Sequence, residues 1–285
     1  MTSDLRVSML QMTSGNRHAV NQVTVDEAAH RAAADGCHLL ALPEAAGLMN
    51  KDKEDARRQI TTEAEDPFLL TCRGLAAKYG LWIQPGSTPV KAADGRYLNH
   101  GTLIDPSGAI VARYDKVHLF DVFLEGRKPT GESDRYAPGT EAVLVDTPWG
   151  PWGLSICYDL RFPHLYRDYA NAGATVLFIP SAFTVPTGRA HWEVLLRARA
   201  IENGAYVVAA AQVGDHEDGR TTWGHSLIID PWGEVMADLG GDTPGQISVT
   251  LDIARVAAAR QQIPSLENER DYTFTRISAH ETASA

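Results

Sequence analysis

Three side chains in this sequence carry complementary reactivity, and each stands where an apolar run ends. Cys157 follows "WGLSI" (152–156), Glu44 follows "HLLALP" (38–43), and Lys116 follows "AIVARYD" (109–115). A thiol attacks a carbonyl as the thiolate, yet an unperturbed cysteine is mostly protonated near neutrality. A carboxylate within reach takes that proton and returns it to a departing amine. A lysine ammonium stabilises the thiolate and then the oxyanion of a tetrahedral intermediate, with the backbone N–H of Tyr158 as a second donor. Glu44, Lys116 and Cys157 thus make a self-sufficient set for acyl transfer from an amide or nitrile, with no metal and no cofactor. Taken singly, each has a plainer reading: core packing for the cysteine, a turn for the glutamate, surface for the lysine.

Other chemistries fit less well. "GLSIC" (153–157) lacks the final glycine of G-x-S-x-G, so Ser155 reads as a strand residue. No H-E-x-x-H, G-x-G-x-x-G or P-loop occurs, and "HWE" (191–193) reads as helix surface and core. The ten histidines show no ligand spacing.

The elements that must position these residues alternate. Strand "LRVSMLQ" (5–11), helix 19–36 ended by Gly36, strand 37–44 stopped by Pro43, helix 66–80 and strand "LWIQPGS" spell β-α-β-α-β. "NHGTLIDPSGAIVARYDKVH" (99–118) reads as a hairpin about a Pro-Ser-Gly turn. "TLIDPSGAIVA", starting at Thr102, is echoed by "LIIDPWGEVMA", starting at Leu227, an offset of 125 residues. The echo predicts two halves, each with strands, helices and a hairpin. In the second half, strands are expected at 150–156, 174–180, 205–212 and 246–252. Helices are expected at 162–173 and 188–204, the latter with Val194, Leu195, Ala198 and Ile201 on one face and Glu193/Arg197 as an i,i+4 pair.

Over 285 residues the chain is 44 % apolar and 22 % charged, which suits a globular fold, and no linker divides it, so one domain is expected. A net charge of −10 argues against binding a phosphate backbone. No apolar run approaches the ~20 residues of a membrane helix, and "MTSDLRVSML" lacks a signal-peptide pattern. Three widely spaced cysteines, Cys37, Cys72 and Cys157, without CxxC, point to a reducing, cytoplasmic setting. The small polar end "SAHETASA" (278–285) is expected to fray.

"LALPEA" (40–45), "RYDKVHLFD" (113–121) and "SICYDLRFP" (155–163) resemble, in order and spacing, the three signature segments of the nitrilase superfamily of carbon–nitrogen hydrolases. The resemblance extends to about residue 270. It implies an α/β four-layer α-β-β-α sandwich, paired into dimers or larger homo-oligomers, with Glu44 as general base, Lys116 as oxyanion stabiliser and Cys157 as nucleophile. "GESDRYAPG" matches the segment carrying a second glutamate, so Glu132 is implied to hold Lys116 and help position substrate. The wording of residues 180–214 and 224–235 resembles the Nit branch and leans towards amidases of deaminated glutathione, with ω-amidases of keto-dicarboxylic acids as the alternative. Hydrolysis of a linear carboxylate-bearing amide to acid and ammonia is the expected reaction. A nitrilase, an N-acyltransferase on the same scaffold and a non-catalytic binding protein are the rivals. Substrates of this branch carry a carboxylate near the scissile amide. Arg161 is the candidate to bind it, or else pairs with Asp159, and Phe183 and Thr187 are candidates to wall the pocket.

Overall fold

The computed structural model describes residues 4–123 and 130–278, so apart from Ser278 the expected fraying of the C-terminus falls outside the described residues. The first half runs β1 (Asp4–Gln11), α1 (His18–Ala34), β2 (Leu39–Ala41), α2 (Lys53–Gln59), α3 (Pro67–Tyr79), β3 (Trp82–Gln84), β4 (Thr88–Lys91), β5 (Tyr97–Ile104) and β6 (Ile110–Asp115). The local signals act as read. Asp66 caps α3 by accepting the Leu69 N–H, Pro67 sits in its first turn, and Gly80 ends it at φ +65°. A short ribbon, β7 (Asp121–Val122) with β8 (Thr130–Gly131), leads to the second half. There follow β9 (Val143–Thr147), β10 (Gly150–Leu154), α4 (Pro163–Asn171), β11 (Val176–Phe178), α5 (Val185–Asn203) and β12 (Tyr206–Ala209). A second ribbon, β13 (Val213–Asp215) with β14 (Thr221–Trp223), precedes hairpin β15 (Leu227–Ile229) and β16 (Val235–Asp238). β17 (Gly245–Asp252) and α6 (Ala254–Gln262) close the chain.

One sheet has the order β17-β1-β2-β3-β5-β4 with β6 on β5; the other has β16-β15-β12-β11-β10-β9. Each centres on three parallel strands, β1-β2-β3 and β10-β11-β12. Alternate residues serve different layers. Leu5, Val7, Met9, Leu39 and Ala41 join a core with Trp152, Leu154, Val176 and Phe178 of the other sheet. Leu10, Leu40, Ile83 and Ile104 instead join Val25 and Ala28 of α1 and Phe68 and Cys72 of α3. Strands buried on both faces need near-continuous apolar sequence, as "YVVA" supplies. With α4 and α5 on the far side of the second sheet, the layers stack α-β-β-α. Trp82 and Trp152 meet edge-on across the sheets, ring centroids 5.6 Å apart.

Three expectations need correction. The strand before Cys157 ends at Leu154, not Ile156, because the Ile156 N–H turns to the Asp159 carboxylate. Ser155 is therefore past the strand, its hydroxyl donating to the Phe178 carbonyl. Helix α5 buries Trp192, Leu196, Arg199 and Ala200, whereas Val194 and Ile201 are 63 % and 53 % exposed. A charged residue occupies the inner face because the Arg199 guanidinium donates to the Leu160 carbonyl and pairs with Glu202. The Glu193–Arg197 pair is present at 3.4 Å on the surface. Finally, β17 does not stay in its own half. It pairs antiparallel with β1 over eight residues, Asp4↔Asp252 to Gln11↔Gly245, and ties the two halves together.

Among the described residues no helix is long and apolar enough to cross a membrane.

Candidate active site

Four chain segments, from both sheets and from the β7–β8 ribbon, bring Glu44, Lys116, Glu132 and Cys157 to one cavity of about 600 Å³. Glu44 lies just past β2, at a backbone bend held by a close neighbour. Gly86 (φ +69°) packs so tightly that a Cβ there would lie 1.7 Å from the Pro43 carbonyl oxygen. The Glu44 carboxylate is buried and fully engaged. Oε1 accepts from Lys116 Nζ (2.9 Å) and Asn99 Nδ2 (3.0 Å), and Oε2 accepts from the Ala182 N–H (2.9 Å). Ala182 comes from the loop after β11, so this bond crosses from one sheet to the other.

Lys116 directly follows β6 and is 2 % exposed. Its ammonium also donates to Glu132, at 2.8 Å to Oε2 and 3.1 Å to Oε1. Burial alone would lower the Lys116 pKa. The charges of Glu132 and Glu44 outweigh it and hold the group well above its ordinary 10.5, so it stays protonated. Glu132 is itself anchored by the Phe120 N–H (2.7 Å) and Asn99 Nδ2 (3.1 Å).

Cys157 opens a short 3-10 turn, Cys157–Arg161, with φ +52°, a left-handed conformation that non-glycine residues seldom adopt. Its N–H donates to the Pro180 carbonyl at 2.9 Å. Burial pushes the thiol well above its ordinary range. The Glu44 charge and a hydrogen bond to that carboxylate push the same way, and Lys116 opposes them. The resting site therefore holds a thiol beside a carboxylate and an ammonium.

The turn is held by Asp159, fully buried, a residue the sequence offered only as a partner for Arg161. Its Oδ2 accepts from the Ile156 N–H (2.8 Å) and Tyr114 OH (2.7 Å); its Oδ1 accepts from the His118 N–H (3.0 Å) and contacts the His118 ring nitrogen (2.7 Å). Tyr114 and His118 flank Lys116 by two residues on either side. Asp159 thus fastens the lysine segment to the cysteine turn. Asn99, which bridges the two glutamates, was also missed. Nothing in "NHG" separates it from an ordinary strand asparagine; only the pairing of β5 with β6 sets it beside Lys116.

Tyr158, Phe183 and Thr187 line the cavity. Arg161 is not in its wall and does not pair with Asp159. Its guanidinium lies 5.8 Å from the Tyr158 ring centre and 5.6 Å from that of Phe183, with Nη2 at 3.2 Å from His191 Nδ1.

Residues 6–261 match the sequence profile described as "Carbon-nitrogen hydrolase". The chain belongs to that family. As a carbon–nitrogen hydrolase it acts on C–N bonds of amides. Its relatives include proteins named deaminated glutathione amidase from Yersinia enterocolitica (38 % identical, 93 % of this chain and 92 % of the relative) and Synechocystis sp. (41 %, 91 % and 96 %). The Homo sapiens protein of that name is 39 % identical over 93 % of this chain and 82 % of its own. The crystal structure of the C. elegans NitFhit protein superposes with a TM-score of 0.87 at 37 % identity, covering 94 % of this chain and 66 % of that one. Saccharomyces cerevisiae Nit3, described as a member of branch 10 of the nitrilase superfamily, gives 0.83 at 26 %, covering 93 % and 96 %. A mutant amidase from Nesterenkonia sp. AN1, showing Michael addition of acrylamide at its active-site cysteine, gives 0.76 at 26 %, covering 91 % and 98 %.

Proposed function

We propose that this carbon–nitrogen hydrolase is a cysteine-dependent amidase for a linear, carboxylate-bearing amide of the deaminated glutathione kind. The supporting observation is the meeting of a buried thiol, an engaged carboxylate and a doubly paired ammonium in one cavity. In the proposed reaction Glu44 takes the Cys157 proton as Sγ attacks the amide carbon. The oxyanion forms beside Lys116 Nζ and the Tyr158 N–H. Glu44 passes its proton to the amide nitrogen, the C–N bond breaks, and a thioester remains. Water, losing a proton to Glu44, attacks the thioester; Cys157 leaves as thiolate and regains that proton. Glu132 and Asn99 hold Lys116 and Glu44 in register throughout.

The substrate changes one expectation. Deaminated glutathione contains only secondary amides, so the leaving group is an amine and not ammonia. The relatives' shared name supports this substrate. We further propose a reducing compartment, which keeps Cys157 a free thiol, and pairing of two copies, for which the exposed Val194, Ile201 and Trp232 are available apolar groups. Light scattering checks the pairing.

A kinetic panel tests the assignment: deaminated glutathione, ω-amides of keto-acids, simple aliphatic amides and nitriles. Deaminated glutathione should have the highest kcat/KM, and a slow substrate should leave an acyl mass on Cys157. Preference for an ω-amide would reassign the substrate; full turnover by Cys157→Ala would sink the mechanism. Amide product formed from added amines would mark an acyltransferase.

A further inference from the structure

The cavity holds more positive charge than the chemistry uses. Besides Lys116 it is lined by Lys51, Lys53, Arg135 and Arg220, in a chain whose net charge is −10. Its only lining carboxylates among the described residues, Glu44 and Glu132, are both spent on Lys116. Three of the cations are brought together by the backbone. Arg135 donates to the carbonyl of Asn50, the residue before Lys51. Lys51 Nζ lies 3.1 Å from where a Cβ would stand on Gly219, the residue before Arg220. Arg220 is steadied by Asp218, whose side chain is 3 % exposed. Among the described residues, no carboxylate lies within ion-pairing distance of Lys51 or Arg135. The Arg135 guanidinium sits 5.3 Å from the ring centre of Tyr136, another wall residue. These cations come from different loops than Arg161, which stands behind Tyr158 and Phe183.

We propose that Lys51, Arg135 and Arg220 form an anion subsite, for a carboxylate at the end of the amine leaving group. The proposal rests on the amidase assignment above and deepens it. A substrate whose leaving amine ends in a carboxylate meets a cationic group separate from Lys116 and its two glutamates. A guanidinium and an ammonium converging on one carboxylate favour a charged tail over a neutral one. An ω-amide that releases ammonia has no such tail and gains nothing there.

The test compares three substrates with the full-length enzyme: deaminated glutathione, its analogue with the terminal glycine carboxylate converted to a carboxamide, and 2-oxoglutaramate. Arg135→Met and Lys51→Met should each raise KM for deaminated glutathione about 10-fold or more, the scale of one charged hydrogen bond, with kcat little changed. Neither should alter turnover of the carboxamide analogue or of 2-oxoglutaramate, and Arg135→Lys should recover part of the loss. Lys51 is exposed, so its variant keeps the comparison valid if Arg135→Met, which also loses the Asn50 contact, folds poorly. Equal losses on charged and capped substrates, or none on either, would overturn the subsite. A wild-type enzyme that cleaves 2-oxoglutaramate but neither tailed substrate would overturn the deaminated-glutathione assignment and the subsite with it.

Discussion

Hairpin β5–β6 and hairpin β15–β16 are built alike at their turns. Asp105 Oδ1 accepts the N–H groups of Ser107 (2.8 Å) and Ala109 (3.1 Å); 125 residues on, Asp230 Oδ1 accepts those of Trp232 and Glu234, both at 2.9 Å. Gly108 and Gly233 close the two turns at φ +84° and +85°. His100 and His225 hold the same place before each turn, and each ring contacts a carboxylate on the returning arm, Asp115 or Asp238. The departures begin beyond the turn. β6 runs on to Lys116 at the centre of the molecule, where the same offset in the second hairpin reaches Gly241. Asp105 is half-buried, whereas Asp230 is fully buried and pairs with Arg255. Equal turn chemistry thus builds equal hairpins, and the neighbours of the strand ends decide which one does chemistry and which one braces the fold.

Lys116→Met is the sharpest way to break this contrast. It should lower kcat/KM by about 10²–10³ or more, the scale of a lost oxyanion donor. The melting temperature should fall too, since Glu44 and Glu132 stay buried without their cation. Near-normal turnover would show that the first hairpin is as purely structural as the second. Asp159→Asn comes next. Disrupting the clamp between the β6 segment and the cysteine turn should reduce kcat by about 10–100-fold through misplacement, and slow alkylation of Cys157. Unchanged labelling kinetics would remove Asp159 from any positioning role.

Stability should rank the hairpins the other way. Asp230→Ala should cost about 2–4 kcal/mol, because it removes the acceptor of both turn bonds and of Arg255 and leaves their donors unpaired. Asp105→Ala should cost about 1 kcal/mol. Urea midpoints at constant slope measure both; equal costs would mean that burial of Asp230 contributes nothing.

His100 supplies the pH test. Burial alone would lower its pKa, but hydrogen bonds to Asp115 and Glu63 outweigh burial and raise it from 6.5 to about 9. Its contribution is then complete below about pH 6.5 and is lost as pH rises through about 9. His100→Gln should therefore remove up to about 2 kcal/mol of stability at pH 6, and much less at pH 10. An equal loss at both pH values would refute the charged pairing. His225→Gln, whose contact with Asp238 is partly exposed, should cost at most about 1 kcal/mol.

Much of the fold was legible in the chain because its signals are local. Gly80 after a run capped by Asp66 ends a helix wherever it occurs, and two D-P-x-G turns announce two hairpins. Errors arose where a distant group overruled a local one. Ile156 looks like strand until Asp159 takes its N–H, and Arg199 looks solvated until the Leu160 carbonyl receives its guanidinium.

The sequence by itself determined the reacting groups. A thiol, a carboxylate and an ammonium at the ends of apolar runs have one economical joint use, and their intrinsic reactivity does not depend on the fold. Tertiary structure decided everything that depends on distance. It set Lys116 between two glutamates 88 residues apart in the chain, and it placed Asn99 and Asp159 as their unseen supports. It also moved Arg161 behind the wall and gathered Lys51, Arg135 and Arg220 at the cavity. Electrostatics and hydrogen bonding act over a few ångströms of space, and the fold alone decides which residues share that space.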